Sequence, residues 1–135
     1  MGIRVMLVED HQLMREVLEH LLAGEGDIEV VRAVPDAAQA MRLVDDLRPD
    51  VVLMDVDLPG IDGISATRAL VGRDPSLRVV MLSATCTRTT VRDAVAAGAC
   101  GYLVKGDPPR RIFAGIRAAA RGQHPMTPQA VAISS

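Results

Sequence analysis

Two apolar runs in this chain end on acids. The segment DVVLMDVDLPGIDG, residues 50–63, carries Val51, Val52, Leu53 and Met54, apolar enough to be covered on both sides. It then stops at Asp55, with Asp57 two places on. The segment IRVMLVED, residues 3–10, stops at Glu9 and Asp10. A carboxylate closing a core strand has to be solvated, paired or bound to a metal, because burying it bare is too costly. Two more apolar runs close on groups that could meet such acids. Residues 77–82 lead to Ser83, Ala84 and Thr85, and residues 101–104 lead to Lys105, the only lysine in the chain.

Two like charges 4 Å apart repel by about 4 kcal/mol at an effective dielectric near 20. Glu9, Asp10 and Asp55 in one cleft would therefore strain the fold unless a cation joined them. Hard oxygen ligands around an open position suit Mg²⁺, which keeps several waters and takes one or two carboxylates. With charge neutralised by metal and Lys105, Asp55 fits a nucleophile that takes a phosphoryl group as an acyl phosphate. Each residue also has a plainer reading. Asp10 fits a cap for the helix behind it, Asp57 a solvated loop acid, and Lys105 an ordinary surface lysine. Four separate segments delivering these groups to one place favour the chemical reading.

The elements that must position them follow from periodicity. Strand-length apolar runs at 3–8, 28–34, 50–55, 77–82 and 101–104 alternate with amphipathic stretches. Leu13, Val17, Leu18, Leu21 and Leu22 are spaced as one helix face, with Arg15, Glu16 and Glu19 turned away. Asp36 with Gln39 three residues later resembles an N-cap and its partner, predicting a helix over 37–47. A loop with Pro59, Gly60, Asp62 and Gly63 leads to a helix through Leu70. TRTTVRDAVAAG predicts a short helix stopped by Gly98. Asp107 followed by Pro108 predicts a helix start, with Ile112, Phe113, Ile116 and Ala119 inward and an end near Gly122. Alternating strands and helices with apolar strands predict an α/β domain, a doubly wound five-stranded parallel sheet with helices on both faces. Right-handed crossovers put every strand's C-terminal end on one edge, where ligands bind in such sheets. The domain is expected to occupy residues 1–122, and the polar, Pro-containing residues 123–135 read as a linker or frayed terminus.

Composition bounds the function. A chain of 135 residues with 49% hydrophobic residues, one Tyr, one Phe and no Trp predicts one domain with an aliphatic core. A net charge of -2 gives no electrostatic footprint for nucleic acid. Cys86 and Cys100 lie in no metal-ligand spacing and read as reduced thiols. His11 borders the cleft, and the three histidines suggest no metal site. No apolar run reaches the roughly 18 residues that span a bilayer, and the acidic turn at residues 9–10 is unlike a signal peptide. A cytoplasmic protein is expected.

The acidic pair after the first strand, DVDLPGIDG after the third, Ser83-Ala84 after the fourth and GYLVK around the fifth together resemble the receiver domain of two-component response regulators, over residues 3–121. That resemblance implies a flavodoxin-like, CheY-like fold. It also implies a phosphoryl group accepted on Asp55 from a sensor histidine kinase or a small phosphodonor. Asp10, Asp55 and the backbone carbonyl of Asp57 would hold Mg²⁺, with Glu9 acting through water. Ser83, Ala84 and Lys105 would bind the phosphoryl oxygens, and Tyr102 would follow Ser83 from an outward to an inward rotamer. Asp57 and Thr85 would tune the lifetime of the acyl phosphate. The domain would switch rather than turn over as an enzyme, read out through the face of the fourth helix, fifth strand and fifth helix or a dimer using the first and fifth helices, with homodimerisation on phosphorylation.

The pair Asp10-His11, GYLVKGDPPRRI and RGQHPMTPQAVA are similar to the NarL/FixJ branch, whose receivers precede a LuxR-type helix-turn-helix. DNA would then be bound only through a domain beyond Ser135; a stand-alone single-domain receiver acting by protein contact is the alternative. Where many receivers carry proline after the lysine, this chain has Gly106, which puts a cis bond there in doubt. A rival reading takes VVLMDVDLP as the signature of haloacid-dehalogenase-type phosphatases, with Asp55 as nucleophile and Asp57 as general acid. The later acidic pair of that family is missing after Lys105. A degenerate receiver acting only by contact would need all these groups intact by accident. A nucleotide fold is weaker, since VEDHQLM has no glycine fingerprint.

Overall fold

The computed structural model describes residues 2–134, the side chain of Ser134 excepted. Strands β1 (Ile3–Val8), β2 (Ile28–Val34), β3 (Val51–Asp55), β4 (Arg78–Ser83) and β5 (Gly101–Val104) alternate with five helices. These are α1 (Gln12–Ala23), α2 (Ala37–Leu47), α3 (Gly63–Arg73), α4 (Arg88–Ala96) and α5 (Pro109–Ala120), and a short α6 (Pro128–Ser134) follows. All neighbouring strands are parallel, in the order β2-β1-β3-β4-β5. Strand order reverses between β1 and β3, so their C-terminal ends flank the crevice where doubly wound sheets bind ligands. Glu9 and Asp10 leave β1 there and Asp55 closes β3.

The two-residue period of the strands divides the core. Met6, Val8, Val52, Met54, Val79 and Met81 pack beneath α2, α3 and α4. Val5, Leu7, Val51, Leu53, Val80 and Leu82 pack beneath α1 and α5. Burial on both faces is why these strands read as continuous apolar runs. Helix starts are set by side chains that satisfy backbone N–H groups: Asp36 accepts from Gln39 N at 2.8 Å, Asp62 from Ser65 N at 2.9 Å and Thr87 from Thr90 N at 3.1 Å. Gly63 opens α3 hard against the end of β3. A Cβ there would lie 1.9 Å from the Asp55 carbonyl oxygen, so only glycine lets the loop fold under the site.

Three expectations are corrected. Helix α1 buries Leu18 and Leu22 and packs Met14 against the sheet, leaving Leu13 and Val17 exposed beside the cleft; Arg15 is not turned away but donates to the Glu9 carbonyl at 2.9 Å. Asp107 does not cap α5. The helix begins at Pro109 after an extended Pro108, and the Asp107 carboxylate instead accepts from the Thr127 hydroxyl at 2.5 Å. The described residues after α5 are not frayed: Met126 bridges to Tyr102, and α6 packs on α4 with Ala130 fully buried.

Candidate functional site

Four of the five strand ends deliver the parts of the site. From β1, Glu9 is fully buried; its Oε2 accepts from His11 N at 3.1 Å and its Oε1 lies 2.7 Å from Lys105 Nζ. From β3, Asp55 is 1% exposed; its Oδ1 accepts from Asp57 N at 3.1 Å and its Oδ2 from Lys105 Nζ at 3.1 Å. Lys105 follows β5 and is anchored by its own N–H to the Ser83 carbonyl at 2.8 Å. One ammonium thus serves two buried carboxylates.

Asp10 is left over. Its Oδ1 is buried and has no hydrogen-bond partner among the described residues. The plainer reading of Asp10 as a helix cap does not hold, since the cap position of α1 is His11, with no capping side chain. Glu9, Asp10 and His11 offer ligand atoms within 4.8 Å of one another. The His11 ring, 3.8 Å from both carboxylates and mostly exposed, is not bonded to either. Sequence reasoning set His11 only at the border of the cleft and missed that its backbone N–H holds Glu9.

Burial sets the electrostatics. Asp55 is pushed up to about 6, first by burial and then by the nearby Glu9 carboxylate, against the Asp57 N–H and Lys105, which favour its charged form. Burial alone would depress the Lys105 ammonium, but Glu9 and Asp55 outweigh it and hold its pKa above the ordinary value. Two buried carboxylates therefore share one ammonium, and beside Glu9 the Asp10 carboxylate keeps a buried, unpartnered oxygen. This donor set fits a hard divalent cation.

The remaining residues line the β4 side. Ser83 is buried, and its Oγ accepts from Thr85 N at 3.2 Å. Ala84 is exposed, and Thr85 offers its carbonyl to the Tyr102 hydroxyl at 2.8 Å. Tyr102 is fully buried. Asp57 carries an exposed side chain just past the strand end. The 105–106 peptide bond is trans, in line with Gly106. Burial raises both cysteine thiols above their ordinary pKa, so they are not activated nucleophiles.

Residues 5–117 match the family described as the response regulator receiver domain. The chain belongs to that family. It is 36% identical over 120 residues to the transcriptional regulatory protein DegU of Brevibacillus brevis, covering 89% of this chain and 51% of DegU. It is 40% identical over 103 residues to the DNA-binding transcriptional activator DevR/DosR of Mycobacterium tuberculosis, covering 76% of this chain and 48% of that protein. The receiver thus spans about half the length of these curated relatives. Among solved structures, a LuxR-family two-component response regulator from Aurantimonas sp. SI85-9A1 superposes with a TM-score of 0.93 at 33% identity, covering 98% of this chain and 94% of that one. The signal receiver domain of the putative response regulator NarL from Mycobacterium tuberculosis gives 0.86 at 32% identity, covering 90% and 98%. The doubly wound parallel sheet expected from the strand pattern, and the flavodoxin-like receiver fold that the resemblance implied, are the fold of this chain. Among the described residues no helix is long and apolar enough to cross a membrane.

Proposed function

We propose that this receiver accepts a phosphoryl group on Asp55 from a sensor histidine kinase. The observation that carries the reading is the buried Asp55 carboxylate at the end of β3, held on one side by Lys105 and on the other by the Asp57 N–H. An Asp55 oxygen attacks the phosphorus. The phosphorus–nitrogen bond of the donor phosphohistidine breaks, and the imidazole leaves with a proton. A small donor such as acetyl phosphate reacts likewise, losing acetate.

Asp10, Asp55 and the Asp57 backbone carbonyl would hold Mg²⁺, with Glu9 acting through water. The ion supplies charge neutralisation at the phosphoryl oxygens. The chain's own groups do the rest. Lys105 pairs with a phosphoryl oxygen, the Ala84 backbone and Ser83 hydroxyl donate to the others, and turning Ser83 that way releases its bond from Thr85. The Thr85 carbonyl carries the Tyr102 hydroxyl, so the movement passes to β5. Asp57 and Thr85 flank the path of the hydrolytic water and set how long the acyl phosphate lasts. Asp55 is regenerated by hydrolysis once per signalling cycle, which makes the protein a cytoplasmic switch rather than a turnover enzyme.

The output is transcription through a C-terminal DNA-binding domain, with homodimerisation on phosphorylation; the relatives named as transcriptional regulators support it. Incubation with acetyl phosphate and Mg²⁺, followed by intact mass measurement, should add one phosphoryl group to wild type and none to Asp55→Asn. Equal labelling of both would reject Asp55. Many cycles of p-nitrophenyl phosphate turnover would favour the phosphatase reading instead.

A further inference from the structure

Strand β5 lies at the edge of the sheet, where unpaired N–H and C=O groups invite another chain. Here the chain covers the edge itself. Tyr102 N donates to the Pro125 carbonyl at 2.9 Å, and Thr127 N donates to the Tyr102 carbonyl at 2.8 Å. At Gly101 the two backbones meet so closely that a Cβ would lie 2.5 Å from the Pro125 carbonyl oxygen. Glycine inside a strand commonly marks such an approach. Beyond the bridge, Thr127 is buried at 2% exposure, and α6 lays the fully buried Ala130 against α4.

The other contact falls past the strand. The Thr127 hydroxyl has one proton and two acceptors in reach, Asp107 Oδ2 at 2.5 Å and Gln129 Oε1 at 2.9 Å. The nearer, charged oxygen takes it. Residues 125–127 therefore grip the chain at Tyr102 and at Asp107, on either side of Lys105. Between those grips, Lys105 reaches Glu9 and Asp55. A Cβ on Gly106 beside it would meet nothing within 4 Å, and the turn is closed by the Asp107 N–H donating to the Val104 carbonyl at 3.1 Å.

We propose that residues 125–134 form a strap in cis that positions Lys105 over Asp55. The proposal rests on the phosphoacceptor reading of Asp55 and adds a regulator to it. Because the strap holds the ammonium where an anion on Asp55 needs it, anion binding and strap docking favour each other, and the coupling is reciprocal. Anything that pulls the strap from β5 and α4 weakens the site, and a loaded site tightens the strap.

The test titrates Mg²⁺ and beryllofluoride, a phosphoryl mimic, into the chain by calorimetry. Tyrosine emission gives a second signal, because the sequence has one Tyr and no Trp, so it reports Tyr102 alone. A chain ending at Gln123, Gly101→Ala and Thr127→Val should each bind beryllofluoride about fivefold or more weakly, and Thr127→Ser, which keeps the hydroxyl, should restore wild-type affinity. In wild type, amide exchange at Tyr102 and Thr127 should slow when Mg²⁺ and beryllofluoride are added. Should the truncated chain fail to fold, the two point variants and the exchange rates decide. Wild type that binds while all variants match its affinity would overturn the strap and leave the Asp55 reading standing. Weakening by Thr127→Val that Thr127→Ser does not rescue would overturn positioning through the Thr127 hydroxyl. Wild type that binds no beryllofluoride would remove the Asp55 reading and the strap together.

Discussion

At the scale of single residues, the site is a contest between burial and charge. Asp55 has its pKa raised to about 6, so between the ordinary carboxylate value and that pH the folded chain holds a proton the unfolded chain has lost. Stability from this group therefore falls as pH rises through that window and is level above it. A rise of that size is worth about 3 kcal/mol at most. Asp27, Asp62 and Asp74 are shifted the other way by hydrogen bonds, so the total slope mixes signs and a difference measurement is needed. Denaturant unfolding should show Asp55→Asn gaining stability over wild type from about pH 4 to about pH 7. A gap that stays constant over that range contradicts the burial account. Mg²⁺ should bind more weakly below about pH 6, as protons compete for the same carboxylate. Asp10 makes a second case, because its buried oxygen has no partner to lose. Asp10→Asn should leave the metal-free protein as stable as wild type or more so, while weakening Mg²⁺ binding. A large loss of apo stability would make Asp10 a structural residue.

At the scale of elements, glycine and caps place the strand ends. Gly63→Ala would set a methyl group 1.9 Å from the Asp55 carbonyl oxygen. It should cost more than about 2 kcal/mol in denaturant unfolding and slow labelling by acetyl phosphate, because α3 must move away from β3. Wild-type stability in this variant would mean the loop can yield. Most of this level was legible in the sequence. Strands buried on both faces left unbroken apolar runs, and Asp36 with Gln39 marked α2 to the residue. What failed had competing partners. Leu13 and Val17 matched the helical period as well as Met14 did, but a repeat of 3.6 residues does not say where the stripe's edge falls against the sheet. Asp107 has the composition of a cap, yet its carboxylate is taken by Thr127, twenty residues on.

At the scale of the whole molecule, the strand order gathers Glu9, Asp10, Asp55, Ser83 and Lys105 from four distant segments onto one edge. That assembly was legible because each group stands immediately after an apolar run and parallel strands share a direction. The strap was not. Residues 123–135 are polar and Pro-containing, and two backbone hydrogen bonds to β5 leave no periodic trace. Gly101, a glycine inside a strand, was the one hint. Switch and strap meet at Tyr102, whose hydroxyl bonds the β4–α4 loop and whose backbone bonds the strap.

The central claim is that Asp55, backed by Lys105, carries the labile acyl phosphate. Borohydride reduction after acetyl phosphate treatment, followed by peptide mass spectrometry, locates an aspartyl phosphate as homoserine at the residue that bore it. Conversion at position 55 that requires Mg²⁺ and is lost in Lys105→Ala or Asp55→Asn is the predicted result. Conversion at Asp10 or Asp57, or none with magnesium present, would contradict it.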